Sequence, residues 1–148
     1  MDKYLLDTNV VIELWNRYSD IIDKLVEEKS INILKEIAEE LVVKERRQYN
    51  GQMVLSERFC DLILFILEID KTRVDEFYSV IEIKYSQNGK AYLNNANKLS
   101  ENDLLLLYAC NMNPKLLLVT QDKYLFNAAK LILGEDRVLT LKELVEHI

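Results

Sequence analysis

The sequence predicts an α/β fold, a three-layer α/β/α sandwich around a central, mostly parallel sheet of about five strands. Short apolar runs alternate along the 148 residues with longer segments in which apolar residues recur at helical spacing. Such alternation is typical of parallel strands joined by helices that cover both faces of a sheet. The chain has only three glycines, one proline and no internal repeat. We therefore expect a single domain over residues 1–148.

Apolar spacing and capping residues define the elements of the first half of the chain. Asn9 and Ser19 belong to the residue types that cap helix N-termini, and Gly51 interrupts a helical pattern. In chain order we predict a strand at 3–6, helices from Asn9 to about Arg17 and from Ser19 to about Glu28, a strand at 31–33, a helix at 35–49 and a strongly amphipathic helix at 53–69.

The segment from Val74 to Tyr85 fits either a helix or a strand, because its apolar residues recur first at helical spacing and then at every second position. We choose a short helix to about Tyr78 followed by a strand. The remaining predictions are a turn at Asn88-Gly89, a helix from Ser100 to Asn113-Pro114, a strand at 116–120, a helix at 123–133 capped by Gly134, a strand at 138–141 and a short last helix. The five strands thus lie near residues 4, 32, 82, 118 and 139.

Four acidic residues stand where this fold brings chain segments together: Asp7, Glu40, Asp103 and Asp122. Asp7 directly follows the first strand, and Asp122 follows the strand at 116–120 by two residues. In open parallel sheets, ligands bind beyond the carboxyl ends of the strands. Carboxylates gathered there repel one another, and the simplest neutraliser is a hard divalent cation, Mg²⁺ or Mn²⁺.

Composition excludes several other classes of protein. The formal net charge of −6 argues against a nonspecific nucleic-acid coat protein. The longest apolar run, Leu104 to Cys110, is too short to span a bilayer, and Met1-Asp2-Lys3 does not begin a signal peptide. We therefore expect a cytoplasmic protein without a membrane segment, in which Cys60 and Cys110 are buried thiols.

Several kinds of catalytic site are also disfavoured. The single histidine, His147, argues against a metal-free ribonuclease with histidine acid–base catalysis and against a Ser/His/Asp triad. The isolated glycines form no phosphate-binding loop. A phosphatase that forms an aspartyl-phosphate on Asp7 ranks low, because such enzymes carry a second Asp where this chain has Asn9.

Several motifs resemble those of one known family. The segment Leu5-Leu6-Asp7-Thr8-Asn9-Val10 looks like the opening of PIN-domain nucleases, and the residues 102–109 look like that family's Asp-led buried helix. The residues 119–126 are similar to its Thr-x-Asp segment, and Glu40-Leu41 fits its Glu-Leu in the helix after the second strand. The small residue that usually follows Glu-Leu is absent, since Lys44 stands in that neighbourhood.

This resemblance implies a PIN-like fold and an Mg²⁺- or Mn²⁺-dependent endoribonuclease that hydrolyses RNA phosphodiester bonds. Small single-domain members resemble VapC-type toxins of type II toxin–antitoxin pairs, which form homodimers and are inhibited by an antitoxin protein. The alternative is a catalytically silent PIN-like protein that binds RNA or acts as a scaffold. We expect the apolar side of the predicted helix 53–69 to pack against a second copy or an antitoxin peptide.

The resemblance also assigns roles to individual residues. The predicted metal ligands and catalytic residues are Asp7, Glu40, Asp103 and Asp122, and the predicted donors that orient them are Thr8, Asn9 and Thr120. Each acid has a structural alternative: a helix cap for Asp7, a capping box with Ser100 for Asp103, and the start of the next helix for Asp122. Glu40 could lie on a solvated acidic face, with Glu36 or Glu39 in its place.

Overall fold

A five-stranded sheet with parallel pairings throughout forms the centre of the protein. The structure, a computed structural model, describes residues 2–45, 47–49, 52–54, 56–87 and 99–148. The sheet contains β1 (Lys3–Leu6), β2 (Ile31–Leu34), β5 (Ile66–Leu67), β6 (Leu116–Val119) and β7 (Val138–Leu139), in the order β5-β2-β1-β6-β7. A separate antiparallel pair is formed by β3 (Arg47–Tyr49) and β4 (Gln52–Val54).

Helices cover the sheet and complete a three-layer α/β/α sandwich, which confirms the predicted fold class. The helices of the described residues are α1 (Thr8–Arg17), α2 (Ser19–Glu27), α3 (Lys35–Glu45), α4 (Glu57–Cys60), α5 (Val74–Gln87), α6 (Glu101–Met112), α7 (Lys123–Ile132) and α8 (Leu141–His147). They form two groups: α1 contacts α2 and α3, and α6 contacts α5 and α7. Within the described part of the chain, no helix is long and apolar enough to cross a membrane.

The core lies around the two central strands. Leu5 and Leu6 of β1, and Leu118 and Val119 of β6, have no exposed surface. Strands covered on both faces read as continuous apolar runs rather than alternating ones, which explains why these segments look alike in the sequence. Helix α6 is apolar nearly all round and is buried from Leu105 to Cys110.

The order of the strands changes direction between β1 and β6. From β1 the chain continues to β2 and β5 on one side, whereas β6 is followed by β7 on the other side. Leu6 and Val119 are register partners, so the carboxyl ends of the two strands lie side by side. Ligands of open α/β sheets bind in the crevice at such a topological switch point.

One predicted strand is wrong. Residues near 82 belong to α5, a single helix from Val74 to Gln87. The helical conformation indicated by the spacing at the start of this segment thus extends over all of it. The fifth strand is instead Ile66–Leu67, at the edge of the sheet. The strands predicted near residues 4, 32, 118 and 139 are confirmed.

The predicted amphipathic helix at 53–69 is also wrong. That segment contains β4, the short helix α4, a 3₁₀ turn at Ile63–Phe65 and β5. Phe59 and Leu62 are buried, whereas Ile63 and Leu64 are exposed, so the apolar residues of this segment do not form one continuous helical stripe. Likewise, the helix predicted at 35–49 ends at Glu45, and Arg47–Tyr49 is a strand.

Several termini behave as their residue types predict. Ser100 begins α6 through a capping box, and Gly134, with φ of 109°, follows α7 in a conformation that favours glycine. Helix α1 begins at Thr8 with Asp7 as its cap, not with Asn9. The two cysteines differ in burial: Cys110 is buried as expected, but Cys60 is exposed.

The predicted Gly51 break and Asn88-Gly89 turn lie outside the described residues.

Candidate functional site

Asp7 lies at the switch point, where β1 passes into α1. Its Oδ1 accepts a hydrogen bond of 2.8 Å from the backbone N–H of Thr8, and its Oδ2 accepts one of 2.9 Å from the hydroxyl of Thr120. Thr120 directly follows β6 and is fully buried. The predicted orienting role of Thr120 therefore corresponds to a direct contact with Asp7 across the two central strands.

Glu40 of α3 faces the same region. Its Oε2 accepts a hydrogen bond from the hydroxyl of Thr8, and its Oε1 accepts one from the side-chain amide of Asn102 on α6. Glu36, one turn earlier, is instead paired with Lys71 at 2.6 Å, and Glu39 is exposed. Of the three neighbouring glutamates, Glu40 is thus the one that joins Thr8 and, through it, the Asp7 region.

Asp103 lies in the first turn of α6. Its Oδ2 accepts a 3.1 Å hydrogen bond from the backbone N–H of Ser100, and its own N–H donates to the Ser100 hydroxyl. The capping-box alternative is therefore realised. Burial raises the pKa of Asp103 to about 6, and the negative charges of Asp7 and Asp122 act in the same direction, against the hydrogen bonds from Ser100.

Asp122 is the most exposed of the four predicted acids. Its backbone N–H donates a 3.0 Å hydrogen bond to the Thr120 hydroxyl, which in turn donates to Asp7. The Asp122 carboxylate caps α7 by accepting from the N–H groups of Tyr124 and Leu125. The helix-start alternative is therefore realised here as well.

The four acids form one electrostatic neighbourhood. Burial raises the pKa of Asp7, and the carboxylates of Asp122 and Glu40 raise it further, although the hydrogen bonds from Thr120 and Thr8 oppose the shift. Among the described residues, none of the four acids forms an ion pair. We call these residues, Asp7, Glu40, Asp103 and Asp122, the acid cluster.

The donor chemistry of the acid cluster fits a hard divalent cation, because Mg²⁺ and Mn²⁺ prefer carboxylate oxygens. In the described residues, however, no group of three or more His, Cys, Asp or Glu side chains is placed to hold a metal ion. The carboxylates of Asp103 and Asp122 accept hydrogen bonds from backbone N–H groups at the starts of α6 and α7. Those of Asp7 and Glu40 also accept hydrogen bonds from side chains of other chain segments. Each carboxylate oxygen can accept more than one partner, so these hydrogen bonds leave lone pairs for a cation.

The structure adds one residue that the sequence reasoning missed. Asn102 precedes Asp103 and contacts Glu40, 62 positions earlier in the chain. An asparagine within a capping-box sequence gives no signal of such a distant contact. Conversely, Asn9, predicted as an orienting donor, is exposed in the first turn of α1.

Comparison with known proteins gives a structural likeness. The chain is similar to the crystal structure of PAE2754 from Pyrobaculum aerophilum, with 18% sequence identity over 98% of this chain and 94% of that chain, and a TM-score of 0.56. At this identity the likeness establishes the α/β fold alone. No protein-family model matches the sequence, and no curated protein matches it.

Proposed function

We propose that the protein is a PIN-like, metal-dependent endoribonuclease that hydrolyses RNA phosphodiester bonds. The observation that carries this proposal is the acid cluster at the switch point, in which burial and neighbouring acids raise the pKa of Asp7 and of Asp103 and none of the four forms an ion pair among the described residues. Holding like charges near one another without a cationic partner is costly, and an external cation would lower that cost.

Asp7, Glu40, Asp103 and Asp122 would hold Mg²⁺ or Mn²⁺. A bound divalent cation supplies charge stabilisation and a water of lowered pKa to phosphodiester hydrolysis. The chain's own contribution is to orient the carboxylates: Thr120 holds Asp7 through its hydroxyl, and Thr8 holds Glu40. Backbone N–H groups donate to the carboxylates of Asp103 and Asp122, which fixes these two acids at the start of α6 and α7.

The biological role that fits best is the toxin of a type II toxin–antitoxin pair. Its support is the resemblance of the segments around Asp7, Glu40, Asp103 and Asp122 to those of VapC-type ribonucleases. The proposal accordingly includes an RNA substrate, a homodimer, an antitoxin partner and a cytoplasmic location.

The decisive experiment compares the parent protein with Asp7→Asn and Asp103→Asn on a mixed RNA substrate, with and without Mg²⁺. We expect cleavage that requires the metal and falls by on the order of 100-fold or more in both variants. Asp20→Asn, an exposed aspartate of α2, is the matched control and retains parental cleavage. Parental cleavage by either cluster variant, or cleavage in the presence of a chelator, would contradict the proposal.

A catalytically silent PIN-like protein that binds RNA is the second candidate. It is favoured by the finding that no three metal-ligating side chains of the described residues are placed around a common point. The two candidates differ in a direct titration with Mn²⁺ followed by RNA binding. RNA binding without Mn²⁺ binding and without cleavage would select the silent protein.

A further inference from the structure

Helices α5, α6 and α7 surround a cavity of about 250 Å³ that is open to solvent. Two buried aromatic rings line it, those of Phe77 on α5 and Tyr108 on α6, whose centroids lie 5.4 Å apart in an edge-to-face contact. The Tyr108 hydroxyl donates a 2.9 Å hydrogen bond to the backbone carbonyl of Asp70, so its polar atom already has a partner. Val80 and Met112 add exposed apolar side chains to the lining. The cavity therefore offers an apolar, largely aromatic surface to a ligand.

Two residues of opposite charge, Arg73 and Glu76, line the same cavity. The backbone N–H of Phe77 donates to the carbonyl of Arg73, so helical hydrogen bonding already includes Arg73. Residues three and four positions apart on a helix share a face, with about 5–6 Å between their Cβ atoms. Both side chains are exposed, and the ion pairs among the described residues include neither of them. An unpaired cation and an unpaired anion thus lie side by side next to the aromatic rings.

This pair of charges selects the kind of ligand. A simple carboxylate would be attracted by Arg73 but repelled by Glu76, and a simple amine would meet the reverse. A zwitterion with adjacent charges satisfies both residues at once. In an α-amino acid the carboxylate and the ammonium group share one carbon, and the side chain leaves from that same carbon. Its apolar side chain can therefore enter the cavity while its two charged groups remain with Arg73 and Glu76.

The size and shape of the cavity limit the ligand further. Pockets for drug-sized molecules measure about 300–1,000 Å³, so a cavity of about 250 Å³ fits a smaller molecule with a single apolar group. Phe77 and Tyr108 present aromatic surfaces, and a further ring gains from offset or edge-to-face contacts with them. An aromatic side chain therefore suits this cavity better than an aliphatic one.

We propose that the cavity binds a free α-amino acid with an aromatic side chain. The ring contacts Phe77 and Tyr108, the carboxylate binds Arg73, and the ammonium group binds Glu76. This inference does not rest on the proposed function, because the residues that line the cavity include no member of the acid cluster.

The test is a titration of the purified ¹⁵N-labelled chain with L-phenylalanine, followed by NMR. We expect saturable shifts of the backbone N–H signals of α5 and of the second half of α6, with a dissociation constant on the order of 1 mM. Three control ligands each lack one feature: phenethylamine the carboxylate, 3-phenylpropionate the ammonium group and L-serine the apolar side chain. Each should bind about 10-fold more weakly or worse. The absence of saturable shifts at about 20 mM L-phenylalanine would overturn the proposal.

Variants of the two charged residues connect each charge to its part of the ligand. In Arg73→Gln, L-phenylalanine should no longer bind better than phenethylamine, because its carboxylate has lost its partner. In Glu76→Gln, it should no longer bind better than 3-phenylpropionate. The matched control is Arg17→Gln, an exposed arginine in the last turn of α1, which keeps the parental affinity and preference. Parental preference in either cavity variant would overturn the assignment.

Light scattering tests whether a second copy of the chain covers the cavity instead. We expect the parent to bind L-phenylalanine at the same affinity over a tenfold range of protein concentration. A parent that forms a dimer, becomes a monomer on Met112→Asp substitution and binds no L-phenylalanine would overturn the proposal.

Discussion

Glu45 and the acid cluster hold their carboxylates in two different ways. Glu45, at the end of α3, is 4% exposed, and its two oxygens accept from Nε and Nη2 of Arg58 at 2.7 and 2.9 Å. The hydroxyl of Ser56 adds a third hydrogen bond of 2.7 Å. The guanidinium also lies over the ring of Trp15, 4.6 Å from its centroid.

The comparison shows that the same helix carries a neutralised acid and an acid held by neutral donors. Arg58 balances the charge of Glu45, whereas Glu40 is held by Thr8 and Asn102, which leave its charge uncompensated. A buried charge paired within the chain stabilises a structure only if its partner stays. Under the proposed function, the acid cluster would take its cationic partner from solution. Three experiments test this difference.

The largest expected effect is on the response to Mn²⁺. At ~100 times its dissociation constant, a ligand that binds only the folded state raises the free energy of unfolding by about 2.7 kcal/mol. We expect this gain in the parent and equally in Arg58→Ala, because that residue lies outside the acid cluster. In Asp7→Asn the gain should nearly disappear. Denaturant unfolding with and without Mn²⁺ measures this gain in each protein. Equal gains in all three proteins would show that the acid cluster does not determine the response to Mn²⁺.

Arg58→Ala itself should lower the free energy of unfolding by about 2 kcal/mol, since it removes the guanidinium that donates two hydrogen bonds to the buried carboxylate of Glu45. The value lies below that of a fully buried pair because the Arg58 side chain is 39% exposed. The control is Arg17→Ala, which breaks a surface pair with Glu13 and should cost less than about 0.5 kcal/mol. Similar losses in the two variants, measured by denaturant unfolding, would show that Arg58 is an ordinary surface residue.

The smallest effect is on the pH dependence of stability without divalent ions. The raised pKa of Asp103 means that the folded chain binds this proton more tightly than the unfolded chain. The resulting stabilisation is fully present below about pH 4, the range of an unfolded aspartate, and is lost as the pH rises through about 6.

Thermal unfolding between these pH values measures the effect. Asp103→Asn should flatten the profile, and added Mn²⁺ should stabilise the parent more at neutral pH than at pH below 5, where Asp103 is protonated. A profile of the Asp103→Asn protein identical to that of the parent would contradict the raised pKa.

The sequence predicted those strands and helix ends whose own residue pattern matches the burial or capping that they have in the fold. The central strands, at Lys3–Leu6 and Leu116–Val119, are continuous apolar runs, and Ser100 carries a capping sequence that forms as expected. The edge strand Ile66–Leu67 is too short to show alternation, and only its pairing with β2 defines it. Within 53–69, apolar residues recur at helical spacing, yet the segment divides into several short elements, and Phe59 and Leu62 are its buried hydrophobic residues among those whose burial is described.

The candidate site could be predicted only in part for a similar reason. Asp7 and Asp122 follow predicted strands, so the topology alone places them near each other. The choice of Glu40 over Glu36 depends on Thr8 and Lys71, which lie far away in the sequence. Asn102 contacts Glu40 across 62 positions, and no local pattern reports this contact.

The hydrogen bond from Thr120 to Asp7 spans 113 positions, and β6 fills the place next to β1 although it is synthesised late. During translation, one edge of β1 stays without its neighbour until residues beyond Thr120 have left the ribosome. The contact between Thr120 and Asp7 is therefore absent from the growing polypeptide, and it forms only once that late strand has been made and inserted.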